Sequence, residues 1–374
     1  MANPDPSAKT LTAAELMRQL GFRFPTAAPA IQATEASRAP SPRYEAQKAL
    51  RSSEGRRTLH VTNGDIAAET IRLSGVHGEV SVTADVLHEG PTPGGLPPER
   101  WRKVRARYLA ESGYADYESC LAELSRWDRT LEDYRSYDEV VLWFEHDLFD
   151  QLLLVRTLDL YAARNLGATE ISLICIGEYL GELTPTQMGT LLPRKQRVNQ
   201  GQKLLARDVW KAFCAPDPTG LEELRRGDTS PLPYLAGALR RHLQEFPSVW
   251  NGLSRSEHQI LRALVQAGGA ATFEELFRAT QRMEERVYLG DLSFHRTLRD
   301  LASSPRPLVR LEPAANGSLR GMQVFLTTGG REVLEGKDDW IQIRGIERWL
   351  GGVHLHGPEA VWRWDTEAGH LVSR

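Results

Sequence analysis

Between residues 57 and about 180 the chain alternates short, apolar, β-branched runs with longer stretches of helical periodicity. No other feature constrains the fold as strongly, because strands separated by helices must cross over and lie parallel in one sheet. The runs 58–62, 79–84, 139–144 and 170–176 predict strands. The last of them, Glu170-Ile171-Ser172-Leu173-Ile174-Cys175-Ile176, is apolar almost throughout, as a strand covered on both faces should be. Helices are expected near 65–74, 98–111, 115–133 and 149–164. The expected fold class is therefore α/β, with a Rossmann-like parallel-sheet domain over 57–182.

Beyond it, residues 183–252 read as a helical cover or bridge, opening at the Thr184-Pro185 cap. Helices are expected near 185–191, 198–213 and 232–246, with a break at 216–220 and no strand. Residues 253–374 open on a capping box, Ser254-Arg255-Ser256-Glu257, and a second helix starts at Thr272-Phe273-Glu274-Glu275. A third helix near 288–303 and strand-like pieces at 307–312 and 321–326 complete a winged-helix-like α+β order. Residues 1–56, rich in Ala, Pro, Ser and Arg, read as a mostly disordered tail. Within it Thr12-Ala13-Ala14-Glu15 can start a short helix, either a docking element for a protein partner or a frayed turn.

Composition narrows the function classes. A formal net charge of −3 argues against a general polyanion binder. No apolar run reaches the roughly 18 residues of a membrane span, and no secretory pattern opens the chain. Cys120, Cys175 and Cys214 are few, scattered and odd in number, which suits a reducing, cytoplasmic setting.

Three polar knots follow the predicted strands. They are Asn63-Gly64-Asp65, then Asp85-Val86-Leu87-His88-Glu89-Gly90-Pro91, then Glu145-His146-Asp147 with Asp150-Gln151. Ligands of open parallel sheets bind at the carboxyl ends of the strands, so the knots could converge on one acidic, histidine-bearing pocket. Asp65, Asp85, His88 and Asp147 are the candidate ligands of a divalent metal such as Mn, Mg or Zn. His88, Glu89 and His146 are the candidate acid/base groups. Asn63, Gly64 and Gln151 would face a ligand, with Gly64 allowing a tight turn. Arg105 or Arg107, on the basic run Glu99–Tyr108, would hold its anionic group. Each motif also has a plainer reading: helix caps at Asp65 and Asp147, a polar turn at His88, and a solvated basic face on the run and on Arg194–Arg197. The GxGxxG fingerprint is absent, which speaks against a dinucleotide site of the usual kind.

Residues 254–374 carry 16 Lys/Arg and 16 Asp/Glu, so DNA binding is not favoured by charge. Near the end, alternation places His354 and His356 on one strand face, either as a metal pair or in a small hairpin that packs tryptophans.

The three knots resemble the bacterial family catalogued as domain of unknown function 1835, through Asn63-Gly64-Asp65, His88-Glu89-Gly90-Pro91 and the stretch from Trp143-Phe144 to Gln151. Leu289-Gly290-Asp291, Trp349-Leu350-Gly351-Gly352 and Trp362-Arg363-Trp364-Asp365 look like its companion carboxy-terminal domain. The resemblance spans roughly 57–370 and implies a domain layout without an activity. From the residues, the leading expectation is a metal-dependent hydrolase or transferase acting on a phosphate-bearing or nucleotide-like small molecule. The alternative is a non-enzymatic, ligand-sensing regulator whose winged-helix-like part contacts DNA or a protein.

Overall fold

A computed structural model describes residues 55–358 and 360–373. Residues 1–54 of the expected tail, including the Thr12–Glu15 helix start, lie outside the described residues.

The fold is mixed α/β around a mostly parallel sheet. Strand β1 (Thr58–Thr62) leads into α1 (Asp65–Leu73) and β2 (Glu79–Val82). A two-residue β3 (Gly90–Pro91) precedes α2 (Pro98–Glu111) and α3 (Tyr117–Glu132). Next come β4 (Glu139–Phe144), α4 (Leu148–Ala162), β5 (Glu170–Cys175), α5 (Pro185–Leu191) and a short β6 (Gln196–Arg197). The sheet order is β2-β1-β4-β5-β6; the first four strands run parallel and β6 is antiparallel.

Strand β4 sits at the centre because its sequence, EVVLWF, can be covered on both sides. Side chains alternate along a strand. Val141 and Trp143 join α1 and α5 residues Ala67, Ile71, Met188 and Leu191 in one core. Val140, Leu142 and Phe144 point the other way, into a larger core with Leu152, Leu154 and Leu158 of α4. The sheet is thus sandwiched between helical layers.

Helices α6 (Gln200–Phe213), α7 (Thr219–Arg226) and α8 (Leu235–Leu243) extend that larger core. The expected break does occur, but α7 follows it directly, burying Leu221 and Glu222; eight residues are too few for periodicity alone to reveal. The β6 pairing likewise escaped the sequence, since two residues carry no strand pattern.

The next part has a separate core. Helix α9 (Arg255–Gln266), β7 (Ala270–Thr272), α10 (Phe273–Gln281), α11 (Asp291–Ala302), β8 (Val309–Glu312), β9 (Gln323–Leu326) and α12 (Thr328–Leu334) follow in that order. The strands form an antiparallel sheet, β7-β9-β8. Ile260, Leu264, Phe273, Phe294, Leu298 and Val324 fill the space between helices and sheet.

After α13 (Trp340–Arg344) the chain returns to the first layer. Strand β10 (Ile346–Gly351) pairs antiparallel with β11 (Val353–Gly357) and parallel with β3, matching Leu350 with Gly90 and Gly351 with Pro91. A final hairpin, β12 (Trp362–Asp365) with β13 (His370–Ser373), follows. Ile346, Leu350, Val353, Leu355, Trp364 and Leu371 all enter the α/β core. An expectation of one unit over 253–374 does not anticipate this return, which depends on pairing between residues remote in sequence. No helix among the described residues is long and apolar enough to cross a membrane.

Candidate active site at the carboxyl ends of β1 and β4

Strands β1 and β4 lie side by side in register, with Thr62 opposite Trp143. The residues that follow each strand therefore meet. Asp147 caps α4, its side chain accepting a hydrogen bond from the Asp150 amide at 3.1 Å. Asp150, one turn into the helix, folds back: Oδ1 accepts from the Glu145 amide (2.7 Å) and Oδ2 from Asn63 Nδ2 (2.6 Å). Glu145 Oε1 accepts from the Leu180 amide at 2.8 Å. Gln151 Nε2 donates to the Glu145 carbonyl at 2.6 Å and lies beside Cys175.

Oxygens of Glu145, Asp147 and Asp150 lie within 4.8 Å of one another, and all three residues are buried, Asp150 completely. None of them forms an ion pair with Lys or Arg among the described residues. Burial pushes the Asp147 carboxyl up to about 7, helped by the like charge of Glu145. Burial raises Asp150 well above the ordinary range, with Asp147 and Glu145 adding to it, and it raises Glu145 too. Three clustered carboxylates in low dielectric require protons or a cation. The all-oxygen donor set fits a hard divalent ion such as Mg or Mn better than Zn.

The second knot does not join this cluster. Asp85 is bound by Arg105, whose guanidinium is fully buried and reaches both Asp85 oxygens, at 2.6 and 3.2 Å. The same guanidinium donates to the carbonyls of Glu89 (2.7 Å) and Val86 (3.2 Å). Asp85 and Arg105 are thus occupied with each other: one is no open metal ligand and the other holds no free anion. Arg107, two residues along α2, is exposed on a different face.

Glu89 pairs with Arg296 of α11 and accepts from the Tyr114 hydroxyl. Burial works to raise its carboxyl, yet Arg296 and His88 with these hydrogen bonds hold it below its ordinary value. His88 is edge-on to Phe149 (6.0 Å between centroids) and Tyr288 (5.2 Å), and neither ring nitrogen has a hydrogen-bond partner among the described residues. Burial lowers its pKa to about 4, so it is neutral at pH 7. The Phe149 contact ties His88 to α4, but His88 gives the acidic cluster no donor atom. Gly90 follows in the left-handed region (φ 74°), and any Cβ there would strike the Tyr108 ring.

Of the other expected residues, Asp65 is exposed in the first turn of α1 and outside the cluster. Gly64 caps α1 in extended backbone (φ −169°), which any residue adopts, so no tight turn requires it; a Cβ there would meet nothing within 4 Å. His146 packs on Tyr179 and Tyr234, its Nδ1 unpartnered, while its carbonyl accepts from Arg286 at 3.0 Å. The structure thus brings together Asn63, Asp147 and Gln151 from the expected set and adds Glu145 and Asp150. Their spacing, one strand-end acid followed two and five residues later by others across a helix start, was the available signal. No family model matches the chain, and no curated protein matches it.

Proposed function

We propose that the chain is a metal-dependent hydrolase or transferase acting on a phosphate-bearing or nucleotide-like small molecule, centred on Glu145, Asp147 and Asp150. The observation that carries this reading is a group of three buried carboxylates, lacking a cationic partner among the described residues, at the place where strand order reverses. The chain leaves β1 for β2 on one side, and β4 lies on the other. In Rossmann-like and related sheets the crevice at such a switch point is where ligands bind. The parallel sheet between helical layers supports that fold reading. The α9–α10–α11 helices with the β7-β9-β8 sheet support a winged-helix-like second part. The same three knots keep the kinship with the uncharacterised family part of this reading.

In this site Asn63 and Gln151 hold Asp150 and the Glu145 backbone in place. The open space at Gly64, where α1 begins, leaves room for an anion near free helix amides. A divalent cation, when bound, polarises a phosphoryl oxygen or lowers the pKa of a water. His146 keeps the proton-transfer role. His88 and Glu89 leave it, one on the separate 85–91 loop and the other paired with Arg296, whereas His146 lies between Glu145 and Asp147 in the chain.

Thermal stability of the chelator-treated protein against Mg and Mn, with and without a nucleotide panel, tests the reading. Saturating cation at a hundredfold excess over Kd should add about 2.7 kcal/mol. Asp150→Asn should abolish the response and Asp65→Asn should preserve it. An Asp150→Asn variant that responds like the parent would refute the assignment.

A second reading, the ligand-sensing regulator, draws on one observation. Arg296 of α11 joins the second part directly to Glu89, and Ser293 meets the hydroxyl of Tyr114, which itself donates to Glu89. An α11 whose arginine is turned toward the α/β layer favours a protein partner over DNA. A gel shift at low salt showing tight DNA binding would reverse that preference.

A further inference from the structure

We propose that Glu347, His354 and His356, on the β10–β11 hairpin, form a second metal site, selective for a borderline divalent transition ion of the Zn²⁺ type. Ladder register builds it. Glu347 of β10 pairs with His356 of β11, and His354 lies two residues away on the same face, opposite Trp349. One imidazole nitrogen from each histidine, Nε2 of His354 and Nδ1 of His356, is turned to a separate oxygen of the Glu347 carboxylate. All three donor atoms lie within 4.8 Å of one another. The Trp349 indole is stacked on the His354 ring, 4.2 Å away and tilted by 3°, which restricts that ring's rotation.

Two imidazoles and one carboxylate are the donors that zinc and its neighbours prefer, whereas Mg and Ca prefer oxygen alone. The three side chains are exposed, so further coordination positions stay open to water or an added ligand. Because the donors come from both strands, a bound ion ties β10 to β11. Strand β10 in turn pairs with Gly90–Pro91. The site is independent of the acidic cluster and differs from it in donor type, so the two sort metals by hardness.

Titration calorimetry of the chelator-treated full chain with ZnCl₂ tests this, alongside hydrogen exchange of residues 346–357. The parent should bind a single equivalent of zinc at the hairpin and protect those amides. Losing even a residue that supports a ligand typically costs ten- to a hundredfold in affinity. His354→Gln/His356→Gln should therefore lose more than about tenfold, with the exchange protection gone. Both side chains are exposed, so that variant should keep the parent's circular dichroism. Asp150→Asn should retain the zinc response even where it loses the response to manganese. Zinc affinity unchanged in the double histidine variant, or no zinc uptake by the parent, would overturn the proposal.

Discussion

The second and third knots are built from the same residue types at equivalent strand ends, yet they handle buried charge in opposite ways. In the second, Asp85 and Glu89 each face an arginine brought in from a helix, Arg105 of α2 and Arg296 of α11. In the third, Glu145, Asp147 and Asp150 have hydrogen-bond donors and one another as neighbours, and no Lys or Arg pairs with them among the described residues. Compensated charge makes a brace; uncompensated charge makes a site with an unmet demand for a cation. An acidic strand end is therefore read by what reaches it, and not by its own composition.

The largest break in this contrast should come from Arg105→Met. It strands Asp85 in the interior, and removing one partner of a buried pair typically costs about 3–5 kcal/mol. Urea unfolding checks this; a loss near zero would mean that Asp85 escapes to solvent and the brace reading is wrong.

Next in size is an opposition in pH dependence. Asp147, pushed up to about 7, keeps its proton in the folded state where the unfolded chain has released it. Its contribution is present at low pH and fades as pH rises from about 4 to about 7, by up to about 1.4 kcal/mol per pH unit. Glu89 is depressed in the folded state and His88 is lowered to about 4. Both lose their contribution as pH falls, His88 over the interval from about 6.5 to about 4. Asp147→Asn should reduce the loss on raising pH, of which Glu145 and Asp150 keep a share, and His88→Phe should reduce the acid-side one. Denaturant midpoints across pH 4–8 distinguish them.

Asn63→Ala removes the donor to Asp150 and should cost about 1 kcal/mol without metal. It should also weaken the manganese response in a thermal melt, whereas a purely structural hydrogen bond would leave that response intact. Arg107→Ala marks the lower bound. As an exposed substitution away from either cluster it should stay within about 0.5 kcal/mol in the same unfolding assay.

Much of the α/β layer was legible because β4 and β5 are nearly continuous apolar runs whose burial leaves no choice of face, and β1 alternates Leu59 and Val61 with polar residues. The pairing of Asp85 with Arg105 was not. Arg105 reads as one member of a basic helix face, and only the approach of α2 to the 85–91 loop separates it from Arg107. Glu145 and Asp150 were visible as polar residues near a helix start, where a cap accounts for them equally well. Asp147 is such a cap, and it serves the cluster too. The return of β10 to β3 had no local signal, since two paired residues impose no pattern on their neighbours.

That return bears on the order in which the molecule can be completed during synthesis. The strands of the parallel sheet emerge from the ribosome well before Leu350, Val353, Leu355 and Trp364, which finish its core. Contacts so distant along the chain form slowly, and domains made first must wait with apolar surface uncovered. The edge at Gly90–Pro91 gains its neighbouring strand only after translation has passed β10. The loop bearing His88 and Glu89 therefore reaches its finished form only once β10 has been made, and a polypeptide ending before β10 would leave Gly90–Pro91 without a paired strand and part of the core uncovered.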